Sequence, residues 1–306
     1  MFTYLNIVAG VLLLLASNAF AQTIITCGGV EDTATLNAAF STGGGTFCIV
    51  GTCVAGNIVV SPGATSSVPE TVSLTRCGSI LAGSVPPTFI AKPGTTGTFI
   101  DARSLANSGI AHIAISCAGT AASPCLDTSW GYAGASVLNH YTDVSISNYT
   151  GVGWDAENNN DSEFDHVIAN VGIPGQGSGT QIAIDMTACG GGETTHDSYW
   201  YGGMLELSAQ NAVIASSGGS GIRVNQGCTS TNYITLIGDY IYANPSSGYA
   251  IWDPSPTGTG HTITALTSIG TIFVGLKGSK AAFNFTVGSG KINLTGNQFI
   301  GIKPGT

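Results

Sequence analysis

Six short apolar segments of the chain each close on aspartate or asparagine, and successive closing residues are 26, 28, 30, 40 and 28 positions apart. If the segments are strands of stacked coils, the closing residues of neighbouring coils lie about 4.8 Å apart. Carboxylates about 5 Å apart suit retaining glycoside hydrolysis, and a separation of about 9–10 Å, with one coil skipped, approaches the inverting arrangement. Repulsion at such short range raises the pKa of one carboxyl, which makes it a general acid. The closing residues are Asp101, Asp127, Asp155, Asp185, Asn225 and Asp253.

Three consecutive members of this series, Asp127, Asp155 and Asp185, are candidate catalytic residues. A structural role stays open, because Asp and Asn end strands by accepting hydrogen bonds from the backbone amides that follow. The presence of Asn225 in the series favours the structural role.

A second series of polar residues precedes the strand that opens each coil. A carboxylate between two imidazoles on neighbouring coils can orient them for acid and base catalysis, although a solvated polar stripe would have the same sequence. We predict catalytic roles for Asp143, Asp165 and His166, and substrate contacts for His112 and His196. Alignment of five segments superposes His112, Asp143, His166, Tyr199 and Tyr233.

The segment 154–165 concentrates acidic residues among asparagines. Alternating carboxylate and amide side chains can form an oxygen-rich calcium site, with Asp155, Glu157 and Asp161 as the predicted ligands. The segment lacks the glycine of an EF-hand loop, and an ordinary hydrophilic loop would have the same composition. Calcium is the one cofactor that the sequence suggests, and it would bridge an acidic surface to a polyuronate.

Aromatic residues cluster in the same middle part of the chain. Flat aromatic faces beside carboxylates and amides are typical of a sugar-binding groove. We expect Tyr132, Tyr199 and Trp200 to contact sugar. Trp154 and Trp252 each precede a residue of the aspartate series, so they are expected to point inward where the aspartates point outward.

The fold prediction rests on a repeat. Three C-terminal segments each consist of an apolar run, a glycine and a second apolar run, and their glycines, Gly238, Gly270 and Gly296, are 32 and 26 residues apart. One such segment cannot bury its apolar stripe alone, whereas stacked copies form a continuous core. The sequence therefore predicts an all-β protein, a parallel β-helix, with a short capping helix near Asp32.

The composition excludes some functions. The formal net charge is −9, with eight Lys plus Arg among 306 residues and no basic stripe, which argues against a nucleic-acid partner.

Residues 1–21 resemble a secretory signal peptide, with an apolar core too short to span a membrane and a small-x-small cleavage site before Gln22. The remainder, 22–306, is expected to form a single secreted or periplasmic domain.

The eight cysteines all follow the predicted signal peptide, and their even number suits disulfides in an oxidising compartment. Their spacing does not match a zinc site. The candidate bonds join successive cysteines: Cys27–Cys48, Cys53–Cys77, Cys117–Cys125 and Cys189–Cys228. The bond Cys117–Cys125 would close a short loop between two coil strands, and the other connectivities stay open.

The N-terminal part resembles the start of pectate-lyase-like right-handed β-helix proteins. The resemblance lies in Asp-Thr-Ala-x-Leu-x-x-Ala-Phe at 32–40, the glycines at 43–45, the strand at 46–50 and the stretch 93–115. That superfamily includes secreted polysaccharide lyases, glycoside hydrolases and phage tailspikes. The catalytic motifs of polygalacturonases are missing, and Asp253-Pro254 continues with Ser255-Pro256 where alginate epimerases have His-Glu.

Three functions follow as hypotheses. The first is a secreted enzyme, a glycoside hydrolase or polysaccharide lyase, that binds glycan along the middle coils. The second is a non-catalytic glycan-binding, adhesion or structural β-helix at the cell surface, as a monomer or homotrimer. The third is a phage-tailspike-like receptor-binding protein, against which the signal peptide and the cysteines argue.

Overall fold

The chain winds into a right-handed parallel β-helix, as the sequence repeat predicts. The structure is a computed structural model. The predicted signal peptide and the pair Cys189 and Cys228 lie outside the residues that it describes. The described residues are 22–63, 70–78, 85–118, 120–129, 136–156, 159–160, 162–170, 181–186, 204–210, 213–215, 219–224, 231–243, 249–252, 263–275, 283–284 and 287–301.

Most described strands belong to one large parallel sheet, called sheet 1, in which each strand pairs with its counterpart one coil away. Strands are numbered β1–β29 in chain order. Sheet 1 comprises β1 (Thr23–Thr26), β2 (Gly45–Val50), β3 (Thr52–Ala55), β5 (Val72–Arg76), β6 (Thr88–Ala91), β9 (Gly109–Ser116), β13 (His140–Ser147), β16 (Ser162–Asp165), β17 (Ile168–Asn170), β19 (Met204–Gln210), β20 (Val213–Ala215), β22 (Thr231–Ile237), β23 (Tyr240–Ala243), β25 (Ile263–Ile269), β26 (Ile272–Gly275), β28 (Val287–Thr295) and β29 (Gln298–Ile300).

A second parallel sheet, sheet 2, takes one short strand from each of eight coils. Two further pairs of short strands join neighbouring coils: β7 (Thr96–Gly97) with β10 (Ala121–Ala122), and β12 (Ser136–Val137) with β15 (Asn159–Asn160). Sheet 2 comprises β4 (Ile58–Val59), β8 (Ile100–Asp101), β11 (Leu126–Asp127), β14 (Val152–Asp155), β18 (Gln181–Met186), β21 (Gly219–Val224), β24 (Ile251–Trp252) and β27 (Phe283–Asn284).

The predicted capping helix is α1 (Thr33–Phe40), and its buried residues are Leu36 and Phe40. Asp32 occupies the N-cap position, but its carboxylate makes no capping bond to the helix. It accepts hydrogen bonds from the backbone amides of Gly28 and Val54 at 2.8 and 3.0 Å instead. Asp32 therefore ties the segment before the helix to β3 rather than capping the helix itself.

The core of the middle coils is an aromatic cluster that joins the two sheets. The ring centroids of Tyr141 from sheet 1 and Trp154 from sheet 2 lie 4.9 Å apart, and both rings contact Phe164 of the next coil at 4.9 and 5.0 Å. Trp154 is fully buried, which confirms that it points inward. Its indole nitrogen donates to the Thr128 hydroxyl at 2.9 Å, so β14 is fixed against the end of β11.

The disulfides correct two of the predicted pairings. Cys27 bonds Cys53, and Cys48 bonds Cys77, across sequence separations of 26 and 29 residues. Those separations equal one coil, and the Cα atoms of each pair are 4.9 and 4.8 Å apart. Pairing by nearness in sequence was wrong because each of these cysteines lies beside a cysteine of the neighbouring coil. The third predicted bond, Cys117–Cys125, is confirmed.

In the part of the chain that the structure describes, no helix combines the length and the apolar character needed to cross a membrane.

Close packing at Gly153 leads to a stability prediction. A Cβ atom at this position would lie 2.8 Å from the Ala183 carbonyl oxygen and 2.9 Å from the buried Tyr149 ring. We expect Gly153→Ala to lower the free energy of unfolding by about 1–3 kcal/mol, as overpacking of a core does. Urea denaturation followed by tryptophan fluorescence measures this change.

Gly109→Ala is the matched control for Gly153→Ala. The nearest atom to a Cβ at Gly109 is the His140 carbonyl oxygen at 3.4 Å, and its backbone does not need positive φ. Equal destabilisation by the two substitutions would contradict the close packing at Gly153.

Candidate functional site

Four aspartates form a continuous line along sheet 2, here called the aspartate column. Asp101 pairs in register with Asp127, Asp127 with Asp155, and Asp155 with Asp185. Neighbouring members are one coil apart, so their backbones are separated by about 4.8 Å. The sequence-based alignment of these four residues is therefore correct, and it includes all three predicted catalytic aspartates of sheet 2.

The alignment fails beyond Asp185. Arg223 occupies the next position of the column, and Trp252 the position after it. The predicted members Asn225 and Asp253 follow these positions in the sequence by two and one residues, and they lie outside the described residues. Counting residues failed here because the 40-residue interval after Asp185 contains extra chain whose length does not reveal the strand register.

Arginine closes the aspartate column at both ends. Arg103 donates two hydrogen bonds to the Asp101 carboxylate, at 2.8 and 2.6 Å, and its Nε atom lies 3.8 Å from the Asp127 carboxylate. Arg223 donates through both Nε and Nη2 to the Asp185 carboxylate, the first bond being 2.9 Å. Two-point binding of this kind holds a carboxylate in one orientation. The sequence analysis did not identify either arginine.

Asp127 has a different environment from its neighbours. Its residue exposure is 6%, and its Oδ1 atom accepts hydrogen bonds from the Ser129 amide at 3.0 Å and the Ser129 hydroxyl at 2.5 Å. Burial raises the pKa of the Asp127 carboxyl, the Ser129 bonds partly oppose that rise, and Asp101 and Arg103 act with smaller and opposite effects. Asp127 therefore retains its proton to a higher pH than an exposed aspartate.

Asp155 lies between the two ion-paired ends of the column. It is less buried than Asp127 and Asp185, and its backbone carbonyl accepts from the Thr128 amide at 2.8 Å. Because side chains alternate along a strand and Trp154 points into the core, Asp155 points away from it. Of the three candidate aspartates, Asp155 is the one whose side chain solvent reaches most readily.

The second predicted series lies on sheet 1 and is separate from the aspartate column. Here three exposed histidine–carboxylate pairs occur on neighbouring coils, and we call them the histidine face. The nitrogen–oxygen distances are 2.8 Å for His112–Asp143, 3.1 Å for His140–Glu163 and 2.6 Å for His166–Asp165. His112, Asp143 and His166 are in register, as predicted, because their neighbours on each side pair along β9, β13, β16 and β17. His140 was not identified from the sequence.

The same three in-register residues have a backbone conformation that usually requires glycine. Their φ angles are 57° for His112, 51° for Asp143 and 53° for His166. At the equivalent corner of later coils the chain has Gly238, Gly270 and Gly296, with φ of 65–69°. The left-handed conformation costs an ordinary residue about 1–2 kcal/mol, so these side chains are held at the corner against a conformational preference.

The structure contradicts one other member of the second series, Tyr233. Tyr233 pairs with Glu206 inside the strand and not at the corner, where Gly238 lies instead. That part of the alignment was wrong because the corner residue changes from histidine or aspartate to glycine along the stack. Tyr199 lies outside the described residues.

Several predicted site residues are likewise outside the described part of the chain: Tyr132, Glu157, Asp161, His196 and Trp200. Among the described residues, no three His, Cys, Asp or Glu side chains are grouped so that they could hold a metal ion. Calcium binding by Asp155, Glu157 and Asp161 stays a prediction.

The comparison with solved structures found a distant likeness. The A-module of the mannuronan C-5 epimerase AlgE4 of Azotobacter vinelandii is similar to this chain, with 14% sequence identity over 91% of this chain and 94% of that chain, and a TM-score of 0.39. The predicted β-helix fold is confirmed by the parallel strand pairing of the structure itself. No family model and no curated protein matches the sequence.

The raised pKa of Asp127 leads to a prediction about stability and pH. Folding favours the protonated carboxyl, so this residue destabilises the folded protein as the pH rises above about 4 and the carboxyl ionises. We expect Asp127→Asn to raise the melting temperature at pH 7, and the difference from the wild type to shrink as the pH falls towards 4. Thermal unfolding followed by circular dichroism at both pH values measures it.

Asp101→Asn serves as the control for Asp127→Asn. It removes one oxygen that binds Arg103, and we expect it to destabilise the protein at pH 7. Destabilisation by Asp127→Asn that is as large at pH 7 as at pH 4 would contradict the raised pKa.

The strained corner leads to a second prediction. His166→Gly removes the imidazole and also relieves the left-handed backbone, whereas His166→Ala removes only the imidazole. We expect the glycine variant to be more stable than the alanine variant by about 1 kcal/mol in urea denaturation. The opposite order would indicate that the corner does not need positive φ in solution.

Proposed function

We propose that this protein is a secreted polysaccharide-processing enzyme that hydrolyses glycosidic bonds at the aspartate column. The observation that supports the proposal is the register of four carboxylates, in which a buried, proton-retaining Asp127 neighbours the more accessible Asp155. Glycoside hydrolases use a pair of carboxyl groups in contrasting environments, one as the general acid and the other as the nucleophile or base. The parallel β-helix offers a long face along which a polymer can lie.

In the proposed reaction, Asp127 donates its proton to the glycosidic oxygen as the sugar–oxygen bond breaks. Asp155, one coil away, attacks the anomeric carbon and forms a glycosyl ester, and the alcohol leaves with the Asp127 proton. A water molecule then hydrolyses this ester while the ionised Asp127 accepts a proton from the water, which restores both carboxyl groups. Asp185 has neither of these roles, because Arg223 binds both of its carboxylate oxygens. The arginines at the two ends limit how much negative charge the column presents.

Secretion forms part of the proposal. The predicted signal peptide supports it, and the three disulfides are compatible with an oxidising extracellular or periplasmic compartment.

A lyase reaction at the histidine face is the alternative to hydrolysis at the aspartate column, with a carboxylate-oriented imidazole as the base that removes a proton.

A non-catalytic glycan-binding protein is the second candidate. One observation favours it: Asp127 and Asp185 are 6% and 3% exposed, and their oxygens bind Ser129 and Arg223. Carboxylates engaged in this way can serve to hold neighbouring coils together.

Activity on a panel of neutral and uronic glycans tests these alternatives. Release of reducing ends without new ultraviolet absorbance indicates hydrolysis, absorbance of unsaturated products indicates elimination, and binding without either indicates the non-catalytic function. If the first holds, we expect Asp155→Asn to lower kcat by about 10²–10⁴-fold, the usual contribution of a positioned acid or base.

His166→Gly is the control for Asp155→Asn, because it alters the other sheet while allowing the corner conformation. We expect it to retain activity. Full activity in Asp155→Asn together with a large loss in His166→Gly would transfer catalysis to the histidine face and refute the aspartate site.

A further inference from the structure

We propose that the ligand of the aspartate column is an uncharged polysaccharide, one without carboxylate or sulfate groups. The inference rests on the proposed function and specifies its substrate class. It rests on the ion pairs that the arginines near the column already form with its aspartates.

Recognition of an anionic sugar needs a cation that remains available to it, and arginine is well suited because it binds oxyanions at two points. Arg103 and Arg223 are the two arginines at the column. Arg103 donates hydrogen bonds from Nε and Nη2 to the Asp101 carboxylate, and Arg223 donates from the same two atoms to the Asp185 carboxylate. The positive charge of each guanidinium is therefore already balanced by a neighbouring aspartate carboxylate, so an incoming carboxylate would meet no net positive charge at these ion pairs.

Lys92 and Arg76 are the other two basic side chains that the structure describes, and neither lies on a strand of the column. Lys92 forms an ion pair with Glu31, close to the start of the capping helix. Arg76 belongs to β5 of sheet 1, away from the strands that carry the column. The four remaining lysines, Lys277, Lys280, Lys291 and Lys303, all follow β26 in the sequence.

The charge of the column itself opposes an anionic ligand. Asp155 carries the charge nearest to solvent, and Asp127 adds a second negative charge whenever it ionises. Like charges repel at the distances of direct binding, and salt screens that repulsion. Neutral sugars have no such penalty, and their hydroxyl groups can donate hydrogen bonds to carboxylate oxygens.

The histidine face would give the same preference at neutral pH, because it contains three carboxylates and no lysine or arginine among its six members. The substrate test is made at pH 7.5.

The experiment compares matched polymers that differ only in charge. Each neutral polysaccharide of a panel is paired with a derivative in which the primary hydroxyl groups are oxidised to carboxylates. Affinity electrophoresis and reducing-end release are measured with the full secreted protein, at low and high salt, in the presence of a chelator.

We expect at least one neutral polymer to bind, and its oxidised partner to bind at least tenfold more weakly at low salt. The difference in affinity between the neutral and the oxidised polymer should be smaller at high salt, because salt screens the repulsion between like charges. Asp155→Asn should also narrow this difference in affinity, whereas Glu31→Gln, which removes a charge beside the capping helix, should leave it unchanged.

Other outcomes distinguish failure of the inference from failure of the proposed function. Equal or stronger binding or cleavage of an oxidised polymer overturns the uncharged-substrate inference and leaves polysaccharide processing standing. The same holds if added calcium makes the oxidised polymer the better ligand, since that would indicate a metal bridge. A complete lack of binding and cleavage for both members of every pair overturns both.

Discussion

Backbone hydrogen bonding between successive coils is the interaction on which the rest of this structure depends. Each strand pairs in parallel with the strand one coil away, so residues roughly 26–30 positions apart become neighbours. The ladder aligns everything attached to it, including apolar side chains in the core, cysteines at one end and carboxylates in the middle. Stacked identical groups are favourable when they are apolar and costly when they are charged.

The aspartate column illustrates how that cost is managed. Asp101 and Asp185, at the two ends, are each bound at two points by an arginine. Asp127 is buried instead, and that burial raises the pKa of its carboxyl. Asp155 is left with more access to solvent than either neighbour. One repeated residue type thus yields carboxyl groups of three kinds, and this contrast is what makes the column a candidate for acid and base chemistry.

The corner of sheet 1 shows a different use of the stack. Three coils place glycine where the backbone requires positive φ, whereas earlier coils place His112, Asp143 and His166 there. The corner also interrupts the alternation of the strand, since Tyr141 and Val144, three residues apart, both point into the core. An exposed imidazole or carboxylate held at such a corner has an orientation that few alternative backbones could reproduce. The His112–Asp143 pair joins two such corner residues on neighbouring coils.

The sequence could reveal the stack and much of its register because a coil has a nearly constant length. The intervals of 26, 28 and 30 residues between Asp101 and Asp185 correspond to single coils, and the pairing of these residues was predictable from them. The same intervals also contained the correct disulfides. Cys27 and Cys53 are one coil apart, but pairing by nearness in sequence ignored that period. Similarly, the glycines of the C-terminal repeat and the residues of the histidine series occupy the same corner on different coils. The sequence analysis aligned the two sets separately and did not recognise this equivalence.

Tertiary structure alone decided which residues fill the column after the 40-residue interval and what surrounds each carboxyl. A long connection adds residues without adding a coil, so counting along the chain cannot distinguish Arg223 from Asn225 as the neighbour of Asp185. Burial and ion pairing depend on contacts across coils, which leave no periodic trace in the sequence. The sequence by itself therefore determined the coils and their spacing. The packed structure determined which carboxyl is buried with a raised pKa and which ones bind an arginine, because those properties arise only when the coils come together.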